Sequence, residues 1–155
     1  MERIASFTVD HNKLEKGMYI SRVDGDIVTY DIRVKKPNAG DYLENKELHT
    51  IEHLFATFAR NSAIKDSVIY VGPMGCRTGF YLLLRANVGK EDAIKLVKDS
   101  LKFIKEFEGE IPGSKKEECG NYNEHDLSGA KKVASNMLEV LANWNKDKLS
   151  YDYQE

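Results

Sequence analysis

The segment from about residue 44 to residue 61 constrains the fold most strongly. Its apolar residues recur at spacings of three and four positions, at Leu48, Ile51, Phe55 and Phe58. Such spacing places them along one side of an α-helix, where they can be buried against a core. The same segment contains His49 and His53, four positions apart and therefore on one helical face. One helix is thus predicted to supply both part of the core and two metal-binding side chains.

The remaining pattern predicts an α+β fold in a single domain. Strands are predicted over 18–23, 27–34, 67–71 and 79–86, and two further helices over 91–107 and 128–144. Asp24-Gly25 lies between the first two strands and is a typical hairpin turn. Because the helices do not alternate regularly with the strands, we expect a mainly antiparallel sheet with helices packed on one face. Residues 1–155 are expected to form one catalytic domain, with a frayed end after about residue 148.

Composition excludes several classes of protein. The chain has 23 basic and 25 acidic residues, for a net charge of −2, which leaves no basic surface for nucleic acid or an anionic membrane. No stretch approaches the roughly 20 apolar residues that cross a bilayer. The N-terminus lacks a basic region followed by an apolar core, so no signal peptide is expected. Cys76 and Cys119 are too few for a disulfide framework and are predicted to be free thiols in the cytoplasm.

The motif His49-Thr50-Ile51-Glu52-His53 carries the main chemical signal. Both imidazoles can reach one ion, and Glu52 lies within reach of a metal-bound oxygen or a substrate. This H-x-x-E-H order is the inverse of the zinc-protease helix. The alternative is two histidines on a polar helix face without a ligand. A catalytic ion needs about three protein ligands, and the further candidates are His11, His125, Cys76 and Cys119.

The two cysteines have different surroundings. Cys119 lies in a polar loop before Gly120, which lets the backbone come close, so it is a good candidate for the third ligand, although an incidental loop thiol is the commoner case. His125 could compete for the ion or orient a ligand from outside. Cys76 lies between glycines, and its neighbour Arg77 could favour the reactive thiolate, although an inert cysteine is an equal alternative. Polar and apolar residues alternate in Ser6–His11, as at the end of a strand that brings polar side chains together. An edge strand with a solvent-facing His11 is an equal alternative.

Five colinear segments together resemble S-ribosylhomocysteine lyase, the autoinducer-2 synthase family of bacteria. They run from residue 6 to residue 120 and are Ser6–His11, Asp31-Ile32-Arg33 with Pro37-Asn38, His49–Ala56, Pro73–Tyr81 and Cys119-Gly120. No single segment is specific, but their combination is. The family resemblance implies cleavage of S-ribosylhomocysteine to homocysteine and 4,5-dihydroxy-2,3-pentanedione, the autoinducer-2 precursor used in quorum sensing, with homocysteine returned to the methyl cycle. The steps implied are carbonyl migration and β-elimination of the thiol.

The resemblance also implies roles for individual residues. His49, His53 and Cys119 would hold one Fe²⁺ per subunit, with Zn²⁺ or Co²⁺ able to substitute. Cys76 would act in carbonyl migration, and Glu52 would move hydroxyl protons and promote elimination. The substrate contacts would be Ser6, His11 and Arg33 at the ribose and Arg60 at the homocysteine end. The family is homodimeric with active sites at the subunit interface, and neither nucleic acid nor membrane is an expected partner.

One departure from the family pattern concerns the homocysteine end of the substrate. Many members carry Asp six residues before the catalytic cysteine, where this chain has Tyr70, and a frequent Ser is replaced by Gly72. Tyr70 can donate a hydrogen bond but offers no carboxylate to the substrate's ammonium group.

Two other functions use the same helix. An inverse-motif metallopeptidase would activate water with Glu52, but the short chain and Cys119-Gly120 argue against it. A non-catalytic, metal-stabilised module would need His125 or Cys76 to complete four ligands.

Overall fold

The structure, a computed structural model, describes residues 1–154 and forms one antiparallel sheet covered by three helices. The strands are β1 (Gly17–Asp24), β2 (Ile27–Arg33), β3 (Val68–Pro73) and β4 (Gly79–Arg85), and the helices are α1 (Asn45–Arg60), α2 (Lys90–Glu106) and α3 (Leu127–Val140). The strand order is β1-β2-β4-β3. The predicted α+β fold is confirmed. Glu155, the last residue of the predicted domain, lies outside the described residues.

The first two strands form the predicted hairpin. Gly25 and Asp26 connect them, and Asp24 pairs with Ile27 at the end of the ladder. Gly25 has a φ of 59°. A positive φ is what a two-residue hairpin turn requires of its first central residue, and glycine adopts it readily. The antiparallel ladder then continues from β2 to β4, where Gly79 pairs with Arg33.

The helix α1 packs against β3 and against both other helices. Its side chains Ile51, Leu54 and Phe55 are at most 2% exposed. They join the core formed with β3, α2 and α3. Leu48 and Phe58, which sequence periodicity placed in the core, are only partly buried. Among residues 1–154, no helix has the length and apolar character that crossing a bilayer requires.

Both ends of the chain differ from the sequence predictions. Ser6–His11 is not a strand: Ala5–Phe7 forms a 3₁₀ turn, and the Thr8 hydroxyl donates to the Ala5 carbonyl (2.7 Å). Such local side-chain hydrogen bonds compete with strand pairing. The helix α3 ends at Val140 rather than near residue 144.

After residue 148 the chain remains in contact with the sheet. Leu149 is 2% exposed, and its carbonyl accepts a hydrogen bond from the Ile20 amide (2.7 Å). The Trp144 indole donates to the Met18 carbonyl (2.9 Å). Residues 144–149 therefore cover the outer edge of β1, which would otherwise present unpaired backbone groups.

We expect Leu54→Ala to lower the free energy of unfolding by about 2–5 kcal/mol, because it leaves a cavity beneath α1. Urea unfolding followed by circular dichroism at fixed protein concentration measures the change. The control is Val23→Ala, since the Val23 side chain is exposed at the end of β1. Truncation of an exposed side chain should change stability by at most about 0.5 kcal/mol. Equal effects of the two substitutions would contradict the assignment of Leu54 to the core.

Candidate metal centre

Four side chains converge beside the N-terminal half of α1. His49, His53, Cys119 and His125 each offer one donor atom, and these atoms lie within 4.8 Å of one another. The helix supplies the first two, and the loop between α2 and α3 supplies the others. The Cys119 sulfur lies 3.4 Å from Nε2 of His49. The helix is amphipathic, so burial of its apolar side leaves the histidines on a face that this loop can reach.

Backbone carbonyls fix the two helical imidazoles. Nδ1 of His49 lies 2.8 Å from the Glu124 carbonyl, and Nδ1 of His53 lies 2.8 Å from the Pro112 carbonyl. A carbonyl can only accept, so each Nδ1 carries a proton, and Nε2 is the nitrogen left to bind a metal. Metal-binding histidines are commonly held in this way, with the second nitrogen donating to a carbonyl.

The third imidazole is fixed by a buried hydroxyl. Thr50 is fully buried, and its hydroxyl donates to the Lys46 carbonyl (3.0 Å) and accepts from the Asp126 amide (2.9 Å). Having used its one proton, the hydroxyl accepts from Nδ1 of His125 (3.0 Å). Burial and the neighbouring imidazoles of α1 lower the pKa of His125. Its Nε2 therefore keeps a lone pair, and this buried atom has no partner within residues 1–154.

The donor set fits a divalent transition metal. Imidazole and thiolate suit iron, zinc and cobalt, whereas magnesium and calcium prefer oxygen. The group contains three imidazoles and one thiol and no carboxylate within the described part of the chain. The structure brings together the three predicted ligands and adds His125. It does not add Cys76, the other fourth ligand considered from the sequence.

Glu52 lies next to this cluster on α1. With His53, Pro112 and Gly113 it lines an open cavity of about 310 Å³. Gly113 has a φ of 70°, and a Cβ at this position would lie 3.2 Å from Nδ1 of His53. A glycine there thus allows the loop to approach the imidazole closely.

Cys76 belongs to a second group of side chains. Its sulfur lies 3.0 Å from the Thr78 hydroxyl and 3.9 Å from Nη1 of Arg33, which also donates to Thr78 (2.8 Å). Arg77, the cation considered from the sequence, donates to the Leu43 carbonyl instead. The guanidinium facing the thiol is therefore that of Arg33, which β2 contributes.

The guanidinium of Arg33 is held by a buried carboxylate. Asp31 and Arg33 are 2% and 4% exposed, and the carboxylate accepts from Nε (3.1 Å) and Nη2 (2.7 Å). Burial opposes the charge of Arg33, but the charge and hydrogen bonds of Asp31 outweigh it and raise the pKa of Arg33. The guanidinium thus stays charged beside the Cys76 thiol.

The other predicted substrate contacts belong to neither of these two groups. Ser6 lines an open cavity of about 320 Å³ that also contains Tyr70 and Tyr81. Nδ1 of His11 bonds to the carbonyl of Val9 two residues before it (2.9 Å). Arg60 is exposed in the last turn of α1, three helical turns beyond His49. Within residues 1–154, no hydrogen bond links Ser6, His11 or Arg60 to either group.

The two departures from the family pattern are structurally coupled. The Tyr70 ring folds over Gly72, so that a Cβ at residue 72 would overlap the Tyr70 hydroxyl. A serine at position 72 would therefore displace Tyr70 from its place beside Ser6.

Three residues of these groups were not singled out from the sequence. Thr50 lies inside the H-x-x-E-H motif, but helix spacing does not reveal its distant partners His125 and Asp126. Asp31 could have been identified from the sequence, because it lies two residues before Arg33 on a predicted strand, and such residues share a face. Thr78 lies two residues after Cys76 in the connection before β4, where strand alternation gives no signal.

We expect Thr50→Val to weaken binding of Co²⁺ by about 10–100-fold, because His125 and Asp126 lose the hydroxyl that holds the loop. Competition with a chromophoric chelator measures the affinity, and cobalt absorption reports the ligand geometry. The Asp126 amide keeps the Lys46 carbonyl (3.2 Å), but Nδ1 of His125 is left without a partner, which should also cost about 1–3 kcal/mol of stability.

The matched control is Ser100→Ala. Ser100 is fully buried in α2, and its hydroxyl donates to the carbonyl four residues earlier (2.7 Å). This substitution removes a buried helical hydroxyl without touching the cluster, so cobalt affinity should not change. A Thr50→Val protein that loses stability but retains cobalt affinity would show that the hydroxyl supports only the fold.

Comparisons with known proteins agree with the site. The profile of the S-ribosylhomocysteinase (LuxS) family matches residues 4–148. The chain is 47% identical to the S-ribosylhomocysteine lyase of Phocaeicola vulgatus over all of both chains. It is 45% identical to that of Clostridium acetobutylicum and 46% identical to that of Porphyromonas gingivalis, over 97% of this chain and 99% of each relative. The chain belongs to the S-ribosylhomocysteinase (LuxS) family, as the resemblance of its five segments predicted.

Proposed function

We propose that this protein is a metal-dependent S-ribosylhomocysteine lyase, a carbon–sulfur lyase that releases homocysteine and 4,5-dihydroxy-2,3-pentanedione. The observation that carries the proposal is the His/Cys cluster on α1 in a chain of this family. Its neighbour Glu52 and the Arg33-paired thiol of Cys76 provide the two acid/base groups that the reaction needs. By the same family relationship, the pentanedione product is the autoinducer-2 precursor.

The ligands proposed for one Fe²⁺ per subunit are His49, His53 and Cys119, with Zn²⁺ or Co²⁺ as substitutes. When bound, the ion supplies Lewis acidity to an oxygen of the opened sugar. Three protein ligands leave a position for substrate. His125 would then keep its unprotonated Nε2 free to accept a hydrogen bond from a substrate hydroxyl.

Cys76 and Glu52 divide the proton transfers in this proposal. The Cys76 thiolate takes a proton from one sugar carbon and returns it to the neighbouring carbon, which moves the carbonyl along the chain without net proton uptake. The Glu52 carboxylate moves protons between hydroxyl oxygens and takes the C4 proton in the last step. Loss of that proton forms the C4–C5 double bond and expels the homocysteine thiolate.

The substrate contacts proposed are Ser6, His11 and Arg33 at the ribose and Arg60 at the homocysteine end. The cavity beside Ser6 supports the first of these, since it is open and lined by tyrosines. Arg33 is fixed beside Cys76, so a ribose within reach of the thiol would also be within reach of its guanidinium.

A homodimer with active sites at the interface is part of the same proposal. Within one chain, Cys76 bonds to Thr78 and Arg33, whereas Glu52 lines a cavity with His53. A second subunit could bring one chain's thiol to the other chain's metal. Exposed apolar side chains around the Ser6 cavity support such an interface, namely Ile4 (56%), Phe7 (63%) and Tyr70 (50%).

The two alternative functions lose their support. A metallopeptidase with an inverse motif would use a carboxylate ligand, and the four-residue cluster contains none. A non-catalytic module does not account for membership in a family of lyases. We also propose a cytoplasmic location, because both cysteines are free thiols, as a reducing compartment maintains them.

Anaerobic incubation of the Fe²⁺-loaded protein with S-ribosylhomocysteine tests the function. Released thiol is measured with a chromogenic disulfide against a blank without substrate. We expect the wild-type protein to release thiol and Cys76→Ala to lose about 10²–10⁴-fold in rate, because an acid/base group is missing. Iron content should stay unchanged, since Cys76 is not part of the cluster.

Glu52→Gln extends this test to the second proton carrier. It should lose activity to a similar degree, whereas the control Glu139→Gln, on the exposed surface of α3, should not. Absence of thiol release from wild-type protein with full iron content would contradict the proposed function.

Sedimentation velocity tests the dimer. We expect a species of twice the mass of one chain, which is 17.6 kDa. Phe7→Asp should dissociate it, because a carboxylate would be buried in the interface. Activity should fall with dissociation while the metal content is retained. The control Lys132→Asp places the same carboxylate on the exposed surface of α3, which does not line the Ser6 cavity, and should remain dimeric. A fully active monomer would contradict the shared active site.

A further inference from the structure

The last residues of the chain pass from the helical face of the sheet to its other face. Residues 144–149 follow the edge of β1, and Tyr151 then stacks on Tyr19 with ring centroids 5.0 Å apart. Asp31 and Tyr19 are partners in the β1–β2 ladder, whereas their neighbours Tyr30 and Met18 are in the core. The ring of Tyr151 therefore lies on the face that carries Asp31 and Arg33.

A hydrogen bond joins this chain end to the buried ion pair. The Tyr151 hydroxyl donates to Oδ2 of Asp31 (2.8 Å), the same oxygen that accepts from Nη2 of Arg33 (2.7 Å). Burial and the negative charge of Asp31 raise the pKa of Tyr151, so that the phenol keeps its proton and remains a donor. Asp31 is therefore held from two sides, by Arg33 and by Tyr151.

The ion pair fixes the guanidinium relative to the thiol. Asp31 binds the Nε and Nη2 side of Arg33, which directs Nη1 toward Thr78 (2.8 Å) and the Cys76 sulfur (3.9 Å). Bidentate pairing defines the plane of a guanidinium, so any movement of the carboxylate also moves Nη1. Consecutive side-chain contacts thus run from Tyr151 through Asp31 and Arg33 to Cys76.

We propose that Tyr151 is a positioning residue for Cys76, acting through Asp31 and Arg33. The catalytic consequence depends on the proposed function, but the effect on the thiol does not. Without the phenol hydroxyl, Asp31 is held by Arg33 alone and can shift with it, and its charge is neutralised less completely. Both changes weaken the positive potential of Arg33 at the sulfur and disfavour the thiolate.

The other charged and titratable groups near the Cys76 thiol are the same in the wild-type protein and in a Tyr151→Phe variant. Tyr81 of β4 interacts electrostatically with Asp31, Arg33 and Cys76, and its pKa is raised, first by burial and then by Asp31. Arg77 lies over the Tyr42 ring. Replacing Tyr151 by Phe changes none of these groups and keeps the ring that stacks on Tyr19.

The test is alkylation of the metal-loaded protein with iodoacetamide, with peptide mass spectrometry to follow Cys76 separately from Cys119. We expect Tyr151→Phe to slow alkylation of Cys76 about threefold or more at neutral pH, because the thiolate is the reactive form. At a pH that ionises the thiol in every variant, the rates should converge. The control Tyr122→Phe removes an exposed phenol and should behave as wild type at both pH values.

The outcomes distinguish a role of Tyr151 in positioning Arg33 from a role in the stability of the fold alone. A lower melting temperature with unchanged Cys76 alkylation, or an equal change at both pH values, would overturn the proposal. In the thiol-release assay, Tyr151→Phe should lower kcat with little change in KM. If the alkylation difference is found but the wild-type protein releases no thiol, the proposed function fails and the role of Tyr151 stands.

Discussion

Burial of the apolar side of α1 is the interaction on which the rest of the structure depends. Leu54 and Phe55 anchor the helix in the core that it shares with the sheet and the other helices. Each buried side chain of this size contributes about 1.5–3 kcal/mol. A helix fixed in this way has no freedom to rotate about its axis. The opposite face therefore presents His49 and His53 at a defined spacing. Packing of the core and placement of the metal donors are thus consequences of the same contact.

The loop between α2 and α3 completes the site by polar contacts. Two of its carbonyls fix the helical imidazoles, and His125 and Asp126 bond to Thr50. These hydrogen bonds orient the imidazoles, but the loop contributes little apolar surface to the core. The loop is therefore held in place less firmly than α1. Since an ion bound only by the folded protein adds its binding energy to stability, the metal is expected to contribute to closure of this loop.

Local patterns predicted the fold and the two histidines, while long-range contacts could not be predicted. The hairpin and α1 follow from spacing within one segment, because turn chemistry and helix periodicity act between near neighbours. Cys119 was recognised as a ligand through resemblance to a family, not through spacing. Thr50 and Tyr151 were missed, because their partners lie 75 and 120 positions away in sequence. The alternation in Ser6–His11 was misleading, since its polar side chains bond to the local backbone.

Attachment of the chain end across β1 has a consequence for biosynthesis. The strand β1 is synthesised early, whereas residues 144–149, which cover its edge, follow only after all three helices. Until they emerge from the ribosome, the nascent protein exposes an unpaired strand edge, the kind of surface through which chains associate wrongly. Their arrival closes that edge, and Tyr151 then completes the support of Arg33. Products of translation interrupted before residue 144 would lack both contacts and would be prone to aggregate.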